Sequence, residues 1–416
     1  MKSLVSLQLF SFRIFLFSVL YCFNCASPVS AQKVRFTAIG DVMSHQDQID
    51  AAYDSQCDCY TYDQVFTDIK PYIEKADYAI ANLETTLPGE KSEYSGYPQF
   101  GSPDSLVDAL SNTGFDMLLL SNNHSIDKYR HGVIRTKQVV VQKKFDAIGS
   151  YTSESEFEKD RIFYKEIGGI KFAFLNYSYG TNGLPVPTGT IVNGFDYRQI
   201  REEIAIAHQN SDAVIVAYHY GTEYRREPDS YQRYAVELAF QEGADIVVGG
   251  HPHVLQPFEK RRFTDRYGDS KERLVIWSLG NFVSNQLKRY TDGGMIFSFT
   301  VEKATGKNEN GGNQKGLIIS NLNYLPVWVL DRTTGSNQFR VLPCKDYIEL
   351  RRPELNRGKL AEKSNLTMDG VPFVASFREK LPLEISDKAK VRMLQFYIDT
   401  LELIGRLPNL EIDDEL

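Results

Sequence analysis

Seven polar residues in this chain share a type and a setting that suit metal chemistry: Asp41, Glu84, Asn123, His124, His219, His251 and His253. The chain has only seven histidines, and two of them stand one residue apart in GADIVVGGHPHV, residues 243–254. Each of the seven residues follows or closes a segment that reads as a strand. In open α/β sheets, ligands collect at the carboxyl ends of strands. Mixed carboxylate, amide and imidazole donors suit borderline divalent ions such as Mn, Fe or Zn. A carboxylate able to bridge, with about five further ligands, is what a two-metal site needs. Such a site, with ions roughly 3.5–4 Å apart, clamps a phosphoryl group and generates hydroxide at neutral pH. Singly, each residue has an ordinary explanation. Asp41 and Asn123 fit helix caps or Asx-turns, Glu84 a surface acid, and His219 a satisfied core histidine. Their coincidence at one sheet edge favours the site.

The elements that must position them alternate. VRFTAIG (34–40) reads as a strand ending at Asp41, and Tyr78–Ala81 as a second running into Asn82-Leu83-Glu84. Phe115–Leu120 is a buried strand that empties into SNNHSID. Further strands are expected at Phe163–Glu166, Phe172–Asn176, Ala213–His219 and Asp245–Val248, each short, apolar and rich in β-branched or aromatic residues. Helices are expected at Tyr62–Ala76, with a bend at Pro71, and at Asp104–Asn112, Val133–Lys144, Tyr197–Gln209 behind an Asp196 cap, and Ser230–Glu242. Alternation of this kind predicts an α/β core. Beyond Glu272 the pattern turns to strands: Leu274–Ser278, Met295–Val301, Leu317–Val329 and Gln338–Leu342. Glu302–Lys315 has the composition of a hairpin tip. Leu383–Leu407 returns to helical periodicity, and EIDDEL is expected to fray.

Bulk properties narrow the class. With 416 residues, 42% apolar and 24% charged, the chain is long enough for one large catalytic domain with additions, or for two domains. Lys2 and Arg13 flank a start without acids, IFLFSVLYCF (14–23) is too short to span a membrane comfortably, and SPVSA presents small residues at Val29 and Ala31. This reads as a secretory signal peptide cleaved after Ala31. Asn24 before Cys25 argues against a lipoprotein. The expected product is secreted, periplasmic or held in the cell envelope, touching membrane only through the signal segment. Cleavage leaves 45 basic against 54 acidic side chains, which excludes a general nucleic-acid binder. Cys57, Cys59 and Cys344 remain, an odd number that rules out a fully paired set, and C-D-C is too lean for zinc without further partners.

FTAIGDVM, IANLETTL, LLLSNNHSID, AYHYGTEY, GADIVVGGHPHVLQP and WSLGNF stand in the order and spacing of the CapA family. That family, of capsule and poly-γ-glutamate biosynthesis, is related to calcineurin-like metallophosphoesterases, and the resemblance spans about residues 34–290. It implies an α/β (α+β) fold of two packed β-sheets flanked by helices, with the site on loops at one sheet edge. The expected layout is a signal peptide (1–31), a metallophosphoesterase-like domain (32–320) and a C-terminal β/α extension (321–416). Carried across, the resemblance gives Asp41, Glu84, Asn123, His219, His251 and His253 as metal ligands, Glu84 in the bridging place. His124 matches a catalytic histidine that protonates a leaving alkoxide or stabilises phosphoryl charge, and Asp127 orients it or merely caps a turn. Asn281 supports the site, and Glu223 and Arg226 face an acidic or phosphorylated ligand. One departure stands out. The superfamily opens with Asp-x-His, whereas Asp41 is followed by Val42 and Met43; His45 lies four residues on, and the sequence leaves open whether it is a ligand, so one metal position is expected to be poorly furnished.

Two functional readings follow. One is a secreted hydrolase using two divalent ions (Mn, Fe or Zn) on a phosphoester of a cell-envelope or exopolymer intermediate. The other is a non-catalytic accessory factor whose cleft binds an acidic polymer or a capsule synthase partner.

Overall fold

The computed structural model describes residues 32–304, 316–331, 339–351, 366–368, 371–377 and 385–405. The segment 1–31 expected to be a signal peptide, most of the 302–315 hairpin tip and the EIDDEL tail lie outside the described residues.

The strand Ala213–His219 (AVIVAYH) is buried along its whole length. Side chains alternate across a strand, and here both faces find a core. Ala213, Ile215 and Ala217 enter an apolar cluster between two sheets, and Val214, Val216 and Tyr218 enter a second cluster under helices. Parallel strands covered on both faces read as continuous apolar runs for this reason. Its parallel neighbours are Ile170–Ser178 and Ile246–Gly250, and Ser270–Ile276 lies beyond the latter. Antiparallel edges at Phe163–Ile167 and Phe258–Thr264 complete a six-stranded sheet. Helices Tyr197–Asn210 and Ser230–Gln241 cover its outer face, and Ile200, Ile204, Val236 and Phe240 fill the gap. Asp196 accepts from the amides of Arg198 and Gln199, so the expected cap is in place.

The second sheet has eight strands. Lys33–Val42, Tyr78–Leu83, Met117–Leu119 and Asp146–Ile148 run parallel. Gly293–Lys303, Leu317–Leu330 and Arg340–Pro343 extend it antiparallel, and Asn281–Val283 pairs with the end of Lys33–Val42. The helices Ser105–Thr113 and Tyr129–Gln142 pack on its outer face. Phe36 stacks on Phe299 and meets Phe172 edge-on at 4.9 Å across the gap between the sheets. The architecture is therefore α/β, two packed sheets flanked by helices.

Two expectations fail locally. Tyr62–Ala76 is two short helices, Asp63–Phe66 and Lys70–Ile73. Proline is tolerated in a first turn but not inside a helix, so Pro71 opens the second helix instead of bending one. Phe258–Thr264 (FEKRRFT) is a strand that periodicity misses, because it is an edge strand carrying the charges that edges need. Residue 320 falls inside the strand Leu317–Leu330. The helix Asp387–Gly405 joins the core between the sheets through Ala389, Met393 and Phe396. Among the described residues, no helix is long and apolar enough to cross a membrane.

Candidate metal centre

The strand Lys33–Val42 carries an irregularity in the turn of chain that matters. Val34, Phe36 and Ala38 face the other sheet, but Ile39 and Val42 both enter the outer core. Strict alternation cannot place both there. The register shifts between Ala38 and Asp41 and again at Asp41/Val42 resolve this as a bulge. Bulges re-aim side chains beside sites, and this one turns Asp41 toward the strand ends of the six-stranded sheet, where His251 and His253 follow Ile246–Gly250. Gly40 permits it, since a Cβ there would fall 1.9 Å from the Gly280 carbonyl oxygen.

At that edge the ligand candidates converge. Asn123 Oδ1 lies 2.7 Å from His219 Nε2. The same imidazole nitrogen is 3.4 Å from Glu84 Oε1. His253 Nδ1 is 3.2 Å from Asp41 Oδ2, and its Nε2 is 4.0 Å from Glu84 Oε1. The His251 ring stands between its two fellow imidazoles, 4.9 Å from His219 and 5.7 Å from His253. Asp41, Glu84, Asn123, His219, His251 and His253 are all buried. Ligating atoms of Glu84, His219 and His251 come within 4.8 Å of one another, and so do those of Asp41, Glu84 and His253. Glu84 is common to both groups.

Two buried atoms here, Glu84 Oε1 and His251 Nδ1, have no hydrogen-bond partner. Buried polar atoms left unpaired are costly, and both of these are lone-pair donors in a borderline-metal ligand set. The residues fit a divalent ion.

The electrostatics are coupled. Burial alone would raise the Asp41 carboxyl, but the hydrogen bond from His253 and the charges of His219 and His253 outweigh it and hold it at about 2. Burial disfavours charge on His253, yet Glu84 and Asp41 push its pKa up to about 9. His251 goes the other way, well below the ordinary imidazole range, through burial and then the neighbouring His219 and His253.

His124 sits beside this cluster without joining it. Its Nδ1 is 2.7 Å from Asp127 Oδ2, which also accepts the Phe100 amide at 2.6 Å. An ionised carboxylate only accepts, so Nδ1 donates, and Nε2 stands 3.5 Å from Asn182 Nδ2. Phe100 packs edge-on against the ring at 4.6 Å. His124 and His253 line a cavity of about 300 Å³ whose walls include Met43, Tyr97, Phe100, Glu223, Tyr224 and Lys288.

Other candidates land elsewhere. Met43 lines the cavity where the resemblance expects histidine. His45 also lines it, but its Nδ1 accepts the Asn285 amide and its residue caps the helix Gln46–Ala52. Glu223 is exposed at the mouth, within ligating reach of His251 and His253. Arg226 turns away, donating to the Asp399 carbonyl at 2.7 Å. Asn281 lies beside the cluster, its Oδ1 3.1 Å from His253 Nδ1. Sequence reasoning missed Asn82, whose Nδ2 donates to Asp41 Oδ1 at 2.9 Å and whose Oδ1 accepts from Asn122. Its place two residues before Glu84, on the same face of the strand, is the signal that was there to read.

A family model described as "Bacterial capsule synthesis protein PGA_cap" matches residues 35–286, more than half the chain. The chain belongs to this family. The capsule synthesis match ends at Gln286, so the antiparallel strands Gly293–Lys303, Leu317–Leu330 and Arg340–Pro343 and the last helix lie beyond it. Among curated relatives, the "Capsule biosynthesis protein CapA" of Bacillus anthracis is 29% identical over 267 residues, 61% of each chain. The "PGA biosynthesis protein CapA" of Bacillus subtilis is 28% identical over 256 residues, 59% of this chain and 64% of that one. The present chain thus spans less than two thirds of either relative. A hypothetical protein from Thermus thermophilus overlaps 69% of this chain and 98% of its own at 14% identity and TM-score 0.39. Calcineurin-like phosphoesterase YfkN from Bacillus subtilis overlaps 69% of this chain and 91% of its own at 12% identity and TM-score 0.33.

Proposed function

We propose that this capsule synthesis family protein is exported and hydrolyses a phosphoester of a cell-envelope or exopolymer intermediate, using two divalent ions drawn from Mn, Fe or Zn. The observation that carries this reading is the pair of unpaired lone-pair atoms, Glu84 Oε1 and His251 Nδ1, inside a buried six-residue ligand set. Asp41 and His253 would hold one ion, Asn123, His219 and His251 the other, and Glu84 would serve both. The chemistry such ions supply when bound is Lewis acidity toward phosphoryl oxygens and a hydroxide at neutral pH.

The chain's own residues do the rest. Asn82 fixes one Asp41 oxygen, the role that outer partners of metal ligands fill. Asp127 holds His124 in the tautomer whose Nε2 is available at the cavity, where the protonated ring gives its proton to the leaving oxygen. Phe100 packs edge-on against the His124 ring and donates its amide to Asp127, so it braces both members of the dyad. The exposed Cys57–Cys59 disulfide supports export, because disulfides persist in oxidising compartments.

Met43, in the place of a ligand histidine, favours the second reading, an accessory factor that binds an acidic polymer or a synthase partner without turnover. A phosphoesterase panel on the purified, metal-analysed protein separates the two. Turnover that His124→Ala reduces supports hydrolysis, whereas metal-loaded protein inert on every ester leaves the binding role.

A further inference from the structure

The cavity mouth is built from two loops, 221–229 and 284–291, each with a few hydrogen bonds of its own, among them the Arg225 amide to the Thr222 carbonyl and the Thr291 amide to the Lys288 carbonyl. Tyr224 and Tyr290 both have positive φ, 65° and 75°. Bulky side chains adopt that region only where surroundings impose it. Tyr224 is tied inward, its amide donating to the Pro252 carbonyl at 2.7 Å, between His251 and His253. Tyr290 is held from outside. Two guanidinium groups lie over its ring, Arg226 at 4.3 Å and Arg289 at 4.8 Å from the centroid.

Both arginines end on one residue of the last helix. Arg289 forks onto the Asp399 carboxylate, Nε to Oδ2 at 2.9 Å and Nη2 to Oδ1 at 2.7 Å. Arg226 Nη2 donates to the Asp399 carbonyl at 2.7 Å. Gln395 braces the same carboxylate at 2.9 Å. The Asp399 side chain is 5% exposed against 58% for Arg289. A bidentate pair anchored on a buried carboxylate fixes geometry in a way that an exposed pair does not. From the 284–291 loop the linkage runs inward: Asn281 Nδ2 donates to the Thr291 carbonyl, and Asn281 Oδ1 meets His253. Gln286, Leu287 and Lys288 on that loop, with Glu223 and Tyr224 on the other, line the cavity.

We propose that Asp399 is a positioning residue for the mouth of the site, and that the last helix, beyond the family match, sets how substrate enters. The clasp stands on geometry alone; its effect on substrate rests on the hydrolytic reading. The test uses the full-length protein with Asp399→Asn, Arg289→Ala, Arg289→Lys and, as a control on the same helix, the exposed Val391→Ala. Hydrogen exchange should rise about tenfold in peptides covering 222–229 and 285–291, the scale of losing charge-assisted hydrogen bonds. Arg289→Lys should recover part of the protection, and the strands Ala213–His219 and Ile246–Gly250 should exchange as before. With p-nitrophenyl phosphate as probe, Asp399→Asn should raise KM about tenfold, keep kcat within about twofold and retain bound metal. Unchanged exchange in both loops, or exchange raised across the sheets as well, would overturn the clasp. A fall in kcat at constant KM would overturn its effect on entry. If the wild-type protein turns over no ester, the hydrolytic reading fails, and the exchange data still decide the clasp.

Discussion

Glu84 belongs to both ligand groups, while His124 and Asp127 stand beside them. This division makes His124 separable from the ligands. His124→Ala should keep its metal and its unfolding midpoint but lose phosphoesterase turnover by about 10²–10⁴-fold, the usual contribution of a general acid. Metal lost along with activity would move His124 into the ligand set. His45 makes a different prediction. Burial pushes its imidazole down to about 4, so the folded protein refuses a proton that the unfolded chain accepts near the ordinary value of 6.5. The stability from this group is therefore full above pH 6.5 and is lost as pH falls toward 4. Urea unfolding at pH 6.5, 5.5 and 4.5 should show a shallower decline for His45→Gln than for wild type. Parallel slopes would show that His45 is not the group responsible.

Strand ends bring these side chains together, and glycine lets them approach. A Cβ on Gly249 would fall 2.0 Å from the Trp277 carbonyl oxygen, which is backbone and cannot yield cheaply. Gly249→Ala should cost about 1–3 kcal/mol in chemical denaturation, as overpacking does. At Gly250 the Cβ would meet Asp41 Oδ1 at 2.8 Å. Gly250→Ala should therefore spare the fold but weaken metal binding about 10–100-fold by displacing a ligand, which titration calorimetry would read. The strands themselves were legible. AVIVAYH predicts Ala213–His219 without error, because a strand buried on both faces is written as an unbroken apolar run. The sequence also places all six ligand candidates at strand ends, and the structure gathers them. The bulge at Asp41 was not legible, because one extra residue leaves no trace in composition. Nor was the turning away of Arg226, whose partner Asp399 lies 173 residues further along. Long-range pairs of this kind depend on how sheets pack, which periodicity does not encode.

At the scale of the molecule, two sheets packed face to face bring the carboxyl ends of their parallel strands to one edge, each supplying part of the candidate ligand set. Asp41, Glu84 and Asn123 come from the eight-stranded sheet and its loops, and His219, His251 and His253 from the six-stranded one. Neither sheet holds the site alone, so metal binding should report on their packing. The core between them is large and aromatic, with Phe36, Phe172, Phe174, Phe297 and Phe299 in one cluster. The last helix joins that same cluster and reaches the cavity mouth through Asp399. The residues beyond the family match are in this way part of the site's frame. On the proposed reading, one buried, shared carboxylate organises a two-ion centre. Elemental analysis of purified wild type, Glu84→Ala and His251→Ala/His253→Ala, each after equilibration with Mn, Fe or Zn, tests it most directly. The prediction is close to two ions per wild-type chain and loss of both in Glu84→Ala, with none retained in the double variant. Wild-type protein that takes up no metal, or Glu84→Ala that binds as wild type does, would contradict it.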